Sequence, residues 1–280
     1  MKKQKSVSSK IIITLGIIML SVAGAVAQNS GEFPVPLSDP NKRGKLKAHL
    51  NSGTIIVKGS ARKDVLVKYS GTDNEDKHEK GTRDGLKRIS SGTMDLEVSE
   101  NGNVVTAKSD SWNNPVKLEI EVPLGFDLEV KTYNDGDLVV NNIQGEVVLT
   151  NYNGEITAEN ISGSVVASTY NGEIKVTFDK VTEGTPMSYS TYNGDIDISF
   201  PGTLKASLKM KTEQGEILSG FDMNLVKGGP IQKKDSNAGT YKVVIDEWVK
   251  GDINGGGPEF TMKNYNGDII IRKKKIVIGC

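Results

Sequence analysis

The sequence predicts an all-β protein whose main body is a parallel β-solenoid, a single-stranded β-helix. It adds hairpin strands on the N-terminal side and an irregular insertion near the C-terminal end. Three observations carry this expectation. One phrase is written six times, starting at Leu128, Val147, Val165, Met187, Leu208 and Phe260. It alternates apolar and polar residues with period two on both sides of a glycine, so each copy is two short strands joined by a bend. The first five copies follow one another at 19, 18, 22 and 21 residues. That spacing is too short for a strand–helix–strand unit and suits one turn of a solenoid.

The columns of the repeat say what each position does. Two inward apolar positions lead to a small polar one, occupied by Thr132, Asn151, Thr169, Thr191, Thr212 and Asn264. The glycine follows at Gly136, Gly154, Gly172, Gly194, Gly215 and Gly267, and after it Leu138, Ile156, Ile174, Ile196, Ile217 and Ile269. In the first copy Asp135 adds one residue before the glycine. Asn-Gly is expected to supply the positive φ angles of a tight turn. A lone coil buries too few apolar side chains to offset the ordering of its backbone, so the copies must stack. Stacking in register places like over like.

In chain order, residues 1–27 read as a cleaved signal peptide. Lys2, Lys3, Lys5 and Lys10 are the basic start, residues 11–20 the apolar run, and Ala25-Val26-Ala27 the cleavage pattern. An uncleaved anchor is the alternative, because residues 11–27 approach spanning length. After cleavage no transmembrane segment is expected. Export by the general secretory route follows, to periplasm or cell surface. Residues 28–45, with Pro34, Pro36 and Pro40, read as an extended lead. Residues 46–127 hold a first coil, Leu46 to Val57, and a β-hairpin region. His49 falls on the outward parity, and 71–92, which includes His78, is a mobile polar loop. Strands are expected at 94–98, 104–108 and 116–122, with Asn101-Gly102 as a hairpin turn and Pro123 as a stop. Residues 128–275 are the solenoid, interrupted by an excursion over 218–259 that contains at least one irregular coil. Arg272 to Lys275 then lie at the open end, four cations that discourage strand addition.

Composition narrows the function. Hydrophobic residues make up 36% and glycines number 31, which fits a thin, turn-rich β protein. Formal charge is zero, and removing the lysine-bearing leader leaves about −4. A slightly acidic mature chain argues against nucleic acid as partner. The single cysteine, Cys280, permits neither an internal disulfide nor a zinc site. The oligomeric state is open.

Two columns beside the turn are candidates for function. One is a ridge of Tyr133, Tyr152, Tyr170, Tyr192 and Tyr265, each followed by an asparagine: Asn134, Asn153, Asn171, Asn193 and Asn266. Exposed aromatics and amides could receive a surface glycan or another protein. Register alone would also produce them, as Tyr-on-Tyr and Asn-on-Asn ladders. The fifth copy departs, with Glu213-Gln214. The other column is acidic: Asp137, Glu155, Glu173, Asp195, Glu216 and Asp268. One glycine per turn does not match a calcium-binding nonapeptide, so no metal is expected and the column reads as a solvated edge. No cofactor is implied. No nucleophile signature is present, and repeated equivalent acids lack the unlike environments that acid–base catalysis needs, so an enzyme is not expected.

The combination of a cleavable leader, the coil L-N-S-G-T-I-I-V, the strand E-I-E-V-P ending at Pro123, the V-x-T-Y-N-G-D/E-I repeats and the closing N-Y-N-G-D-I-I-I-R-K is specific. It resembles the exported bacterial β-strand-repeat family related to the auto-transporter adhesin (head-GIN-like) domain, over about residues 44–275. The resemblance implies a right-handed single-stranded β-solenoid outside the cytoplasm, with no reaction and no catalytic residues. The expected function is therefore that of a non-enzymatic, adhesin-like envelope or surface protein for binding or structure. An envelope-associated signalling accessory is the alternative, and a polysaccharide-active enzyme a third.

Overall fold

The computed structural model describes residues 30–71, 95–227, 230–234, 241–245 and 248–274. The chain opens with β1 (Ser30–Val35), the coil β2 (Lys45–Ser52) and β3 (Ile55–Ser60), then β4 (Val65–Gly71). A hairpin, β5 (Glu97–Asn101) and β6 (Val104–Ser109), leads to β7 (Val116–Pro123). The repeats supply β8 (Asp127–Asn134), β9 (Leu138–Asn141), β10 (Glu146–Thr150), β11 (Ile156–Ser168), β12 (Ile174–Val181), β13 (Met187–Ser190), β14 (Ile196–Pro201), β15 (Ala206–Lys211) and β16 (Ile217–Ser219). Then come β17 (Asn224–Lys227), β18 (Pro230–Lys234), β19 (Tyr241–Ile245) and β20 (Val249–Ile253), and the last copy is β21 (Glu259–Lys263) and β22 (Ile269–Lys274). No helix occurs among the described residues. Twenty strands form one wound sheet, and β18 pairs with β19 apart from it.

Each coil places one strand before its turn and one after it, so the sheet has two faces. On the pre-turn face β6, β2, β8, β10, the second half of β11, β13, β21 and β15 run parallel, in that spatial order. On the post-turn face the matching order is β7, β3, β9, the first half of β11, β12, β14, β22 and β16. The register is that of the columns. Leu118, Ile55, Leu138, Ile156, Ile174, Ile196, Ile269 and Ile217 form one inward file, each opposite the next. All but Ile217 are fully buried. A second file at the corner stacks Phe178 on Phe200 at 5.3 Å, with Phe260 beyond at 5.6 Å.

Several expectations need correction. The copy at Phe260 is not the end of the stack. It lies between the copies at Met187 and Leu208, pairing Met187 with Phe260 on one side and Leu208 with Phe260 on the other. Arg272, Lys273 and Lys274 therefore lie on an interior coil, next to β14 and just beyond the last paired residue of β16, Ser219. The 218–259 stretch adds antiparallel strands instead of an irregular coil. β20 pairs with the outer edge of β15, and β17 pairs with β20. The strand expected at 116–122 joins β6 to make a further coil that stacks on the first one. The hairpin turn is Gly102-Asn103, both at positive φ, one residue later than expected. Part of the extended lead is an antiparallel edge strand, β1 on β4, where Pro34 is tolerated because nothing pairs beyond it. The signal peptide, the loop 71–92 but for Gly71, His78, Lys275 and Cys280 lie outside the described residues.

Candidate binding ridge

The turn is where the repeat concentrates its chemistry. At Gly194, φ is +131° and a Cβ would sit 2.3 Å from the carbonyl oxygen of Gly172 in the coil below. Close approach of stacked turns, as much as the φ value, demands glycine here. Of each Tyr-Asn-Gly pair the glycine takes the positive φ, at Gly154, Gly172, Gly194 and Gly267, while the asparagines keep ordinary ones. Their side chains serve the stack instead. Asn153 Nδ2 donates to Asn134 Oδ1 at 2.9 Å, Asn171 to Asn153 at 2.8 Å, Asn193 to Asn171 at 2.7 Å and Asn266 to Asn193 at 3.4 Å.

The inner polar column has one job, repeated. Thr132 Oγ1 donates to the carbonyl of Gly53, Asn151 Nδ2 to Gly136, Thr169 to Gly154, Thr191 to Gly172, Asn264 to Gly194 and Thr212 to Gly267, at 2.7–3.1 Å. Each coil thus satisfies a turn carbonyl of its neighbour that would otherwise be left without a partner.

The five ridge tyrosines are 40–48% exposed. Four form a continuous stack: Tyr152 on Tyr170 at 5.1 Å, Tyr170 on Tyr192 at 4.9 Å and Tyr192 on Tyr265 at 4.6 Å, with interplanar angles of 7°, 3° and 2°. Their faces cover one another, and their edges and hydroxyls face outward. Tyr133 departs from the stack. The extra residue Asp135, at φ 55°, lengthens its turn. Tyr133 packs instead at 5.6 Å from His49 and 6.0 Å from Trp112, both tilted. Trp112, 55% exposed, was not legible as a ridge residue. The signal was the Trp-Asn-Asn between two alternating runs, which marks the turn of the coil formed by β6 and β7. His49 lies on the outward parity as expected, with its Nε2 buried and without a hydrogen-bond partner.

The acid column is part of the stack too. Asp137 Oδ1 accepts from the Glu155 N–H, Asp195 from Asp268 and Asp268 from Glu216, each at 2.8 Å. Burial raises the Glu173 carboxyl above its ordinary value, and Glu155, Asp195 and Asp197 push it further. Among the described residues no group of acids, histidines or cysteines could hold a metal ion. An open concavity of about 880 Å³ lies away from the ridge, lined by Leu218, Ile270 and Arg272 to Lys274 among others. None of the ridge tyrosines lines that concavity.

The profile of the Toastrack DUF4097 family matches residues 85–254, more than half of the chain. The chain belongs to that family. The Toastrack match runs from before the β5–β6 hairpin to the end of β20, and so takes in Trp112 and every ridge tyrosine except Tyr265. Among solved structures, a protein of Clostridium sporogenes ATCC 15579 provisionally named for cell adhesion aligns at TM-score 0.46 with 14% identity, over 88% of this chain and 100% of that one. A Bacteroides fragilis NCTC 9343 protein provisionally named an adhesin aligns at TM-score 0.30 with 12% identity, over 88% and 96%. Comparison with curated proteins finds no match. No helix among the described residues is long and apolar enough to cross a membrane.

Proposed function

We propose that this Toastrack protein is an exported, non-enzymatic surface or envelope protein whose turn ridge is its contact surface. The observation that carries this reading is the alignment of Trp112, Tyr133, Tyr152, Tyr170, Tyr192 and Tyr265. These are six of the ten large hydrophobic side chains exposed among the described residues, gathered on one edge of a rigid stack. Apolar surface concentrated in one strip and rimmed by polar groups marks an interaction site more often than scattered exposure does. Export rests on the basic and apolar leader at residues 1–27 and its Ala-Val-Ala end. The coils are taken to wind to the right, the hand implied by the family resemblance. The acid column supports the non-enzymatic reading, because three of its six members, Asp137, Asp195 and Asp268, are engaged by backbone N–H groups of the next coil.

The test is adhesion of the mature chain, residues 28–280, to envelope preparations and glycan arrays. Changing Tyr152, Tyr170 and Tyr192 together to Ser is expected to abolish it. The same three positions changed to Phe keep the stack and report on the hydroxyls alone. Full binding by a folded Ser variant would reject the ridge.

A further inference from the structure

We propose that the ridge takes an extended, uncharged β-1,4-linked polysaccharide, laid along the solenoid axis with one sugar per coil. This rests on the ridge being the contact surface and names its ligand. The first argument is the spacing. The tyrosine rings repeat at 5.1, 4.9 and 4.6 Å. That is close to the advance per ring in a fully extended β-1,4 chain, whereas α-1,4 chains coil away from a straight ridge.

The second argument is the hydrogen-bonding inventory. Among the described residues the hydroxyls of Tyr152, Tyr170, Tyr192 and Tyr265 make no hydrogen bond to the protein. A phenol both donates and accepts, so it tolerates the alternate flipping of sugars along a β-1,4 chain. In the neighbouring asparagine ladder each amide commits one N–H and one lone pair to its neighbours, leaving a second of each per coil. On the other side of the three middle tyrosines stand small hydroxyl residues, Thr150, Ser168 and Ser190, all half-buried. They pair in register from coil to coil and add donors at the same period.

The third argument is how the ridge ends. Beyond Tyr265 the next coil carries Glu213 in the tyrosine position. At the other end Trp112 is more than half exposed and tilted 43° from Tyr133. Trp112 offers the strip an indole that is not stacked in parallel, a platform for a terminal sugar. The acid column runs beside the ladder, and Glu173 is already crowded by Glu155 and Asp195. A polyanion would meet that repulsion and a neutral chain would not.

The experiment is calorimetric titration of the 28–280 chain with cello- and chito-oligosaccharides of two to six sugars. Maltohexaose is the coiled control and polygalacturonate the anionic one. Affinity is expected to tighten with each added sugar up to six, the length that spans the five tyrosine coils and reaches Trp112, with neither control binding. The double variant Tyr170→Phe/Tyr192→Phe, confirmed as folded by an unchanged melt, is expected to weaken hexamer binding about tenfold. Trp112→Ala is expected to remove the gain from the last sugar. No binding, equal binding of maltohexaose, or an unchanged double variant would overturn the inference. If β-1,4 oligosaccharides fail while tyrosine-dependent adhesion to envelopes persists, the ligand assignment falls and the ridge stands. If adhesion survives in the Ser variant, both fall.

Discussion

At the scale of single residues, the turn shows which side chains the stack depends on. Thr191 is buried and its hydroxyl satisfies the Gly172 carbonyl at 3.0 Å. Thr191→Val keeps the shape and strands that carbonyl, a loss of about 1–3 kcal/mol that urea denaturation should register. Gly194→Ala drives a Cβ against the Gly172 oxygen and should cost more than about 2 kcal/mol by the same measurement. Tyr189 is fully buried, and its hydroxyl donates only to the Met187 sulfur at 3.2 Å. The acid column gives a pH dependence with a definite sign. Glu173 binds its proton more tightly folded than unfolded, so stability rises as pH falls from neutral and the gain is complete below the ordinary value of 4.5. Glu129 works the other way. Hydrogen bonds from Lys131 and Lys45 lower its carboxyl to about 2, so its contribution is present above 4.5 and is lost as pH falls through about 2. Glu173→Gln is expected to raise Tm at neutral pH and flatten the mild-acid rise in a calorimetric series. A steeper rise in the variant would contradict the assignment.

At the scale of elements, the informative feature is the place of β21 and β22. The coil is held from both sides by parallel pairing, and on its surface Arg272 grips Asp197 through two nitrogens at 2.8–3.0 Å while Lys274 reaches Asp179 at 2.6 Å. An interior coil is protected and a terminal one frays. Hydrogen exchange at Ile269 and Ile271 should therefore be as slow as at Ile174 and Val176, and slower than at Ile217. Faster exchange at Ile269 than at Ile217 would place the last copy at the end after all. The strands themselves were legible, because apolar alternation around Gly154, Gly172 and Gly194 admits one reading. Their order was not. The copies at Met187, Leu208 and Phe260 share the same columns, so any of them fits beside any other in register. The outcome is decided by β20, which occupies the outer edge of β15 and makes the Leu208 coil terminal. The repeat columns do not reveal that pairing. The β6–β7 coil was hidden for a related reason, since its turn lacks the Tyr-Asn-Gly phrase.

At the scale of the whole molecule, the order of coils sets the length of the ridge. Had the Leu208 copy followed the Met187 copy, Glu213 would have ended the tyrosine stack at Tyr192. The inserted coil adds Tyr265, and its asparagine extends the amide ladder by one step. Composition and spacing made the ridge visible as a column of tyrosines. They could not show that the ring faces are used up within the stack, because interplanar angles of 2–7° belong to the folded arrangement. In the function proposed above, a partner would meet a row of edges and hydroxyls. The most direct test of the account asks which coil touches which. In a Cys280→Ser background, the pairs Asn193→Cys with Asn266→Cys, Gln214→Cys with Asn266→Cys, and Asn193→Cys with Gln214→Cys are each treated with a short fluorogenic reagent that bridges two thiols. Adjacent coils lie about 4.7–4.9 Å apart, and coils separated by one lie at twice that. The account predicts rapid bridging for the 193/266 pair and for a 214/266 pair, with none for 193/214. Bridging of 193/214 without 193/266 would contradict it.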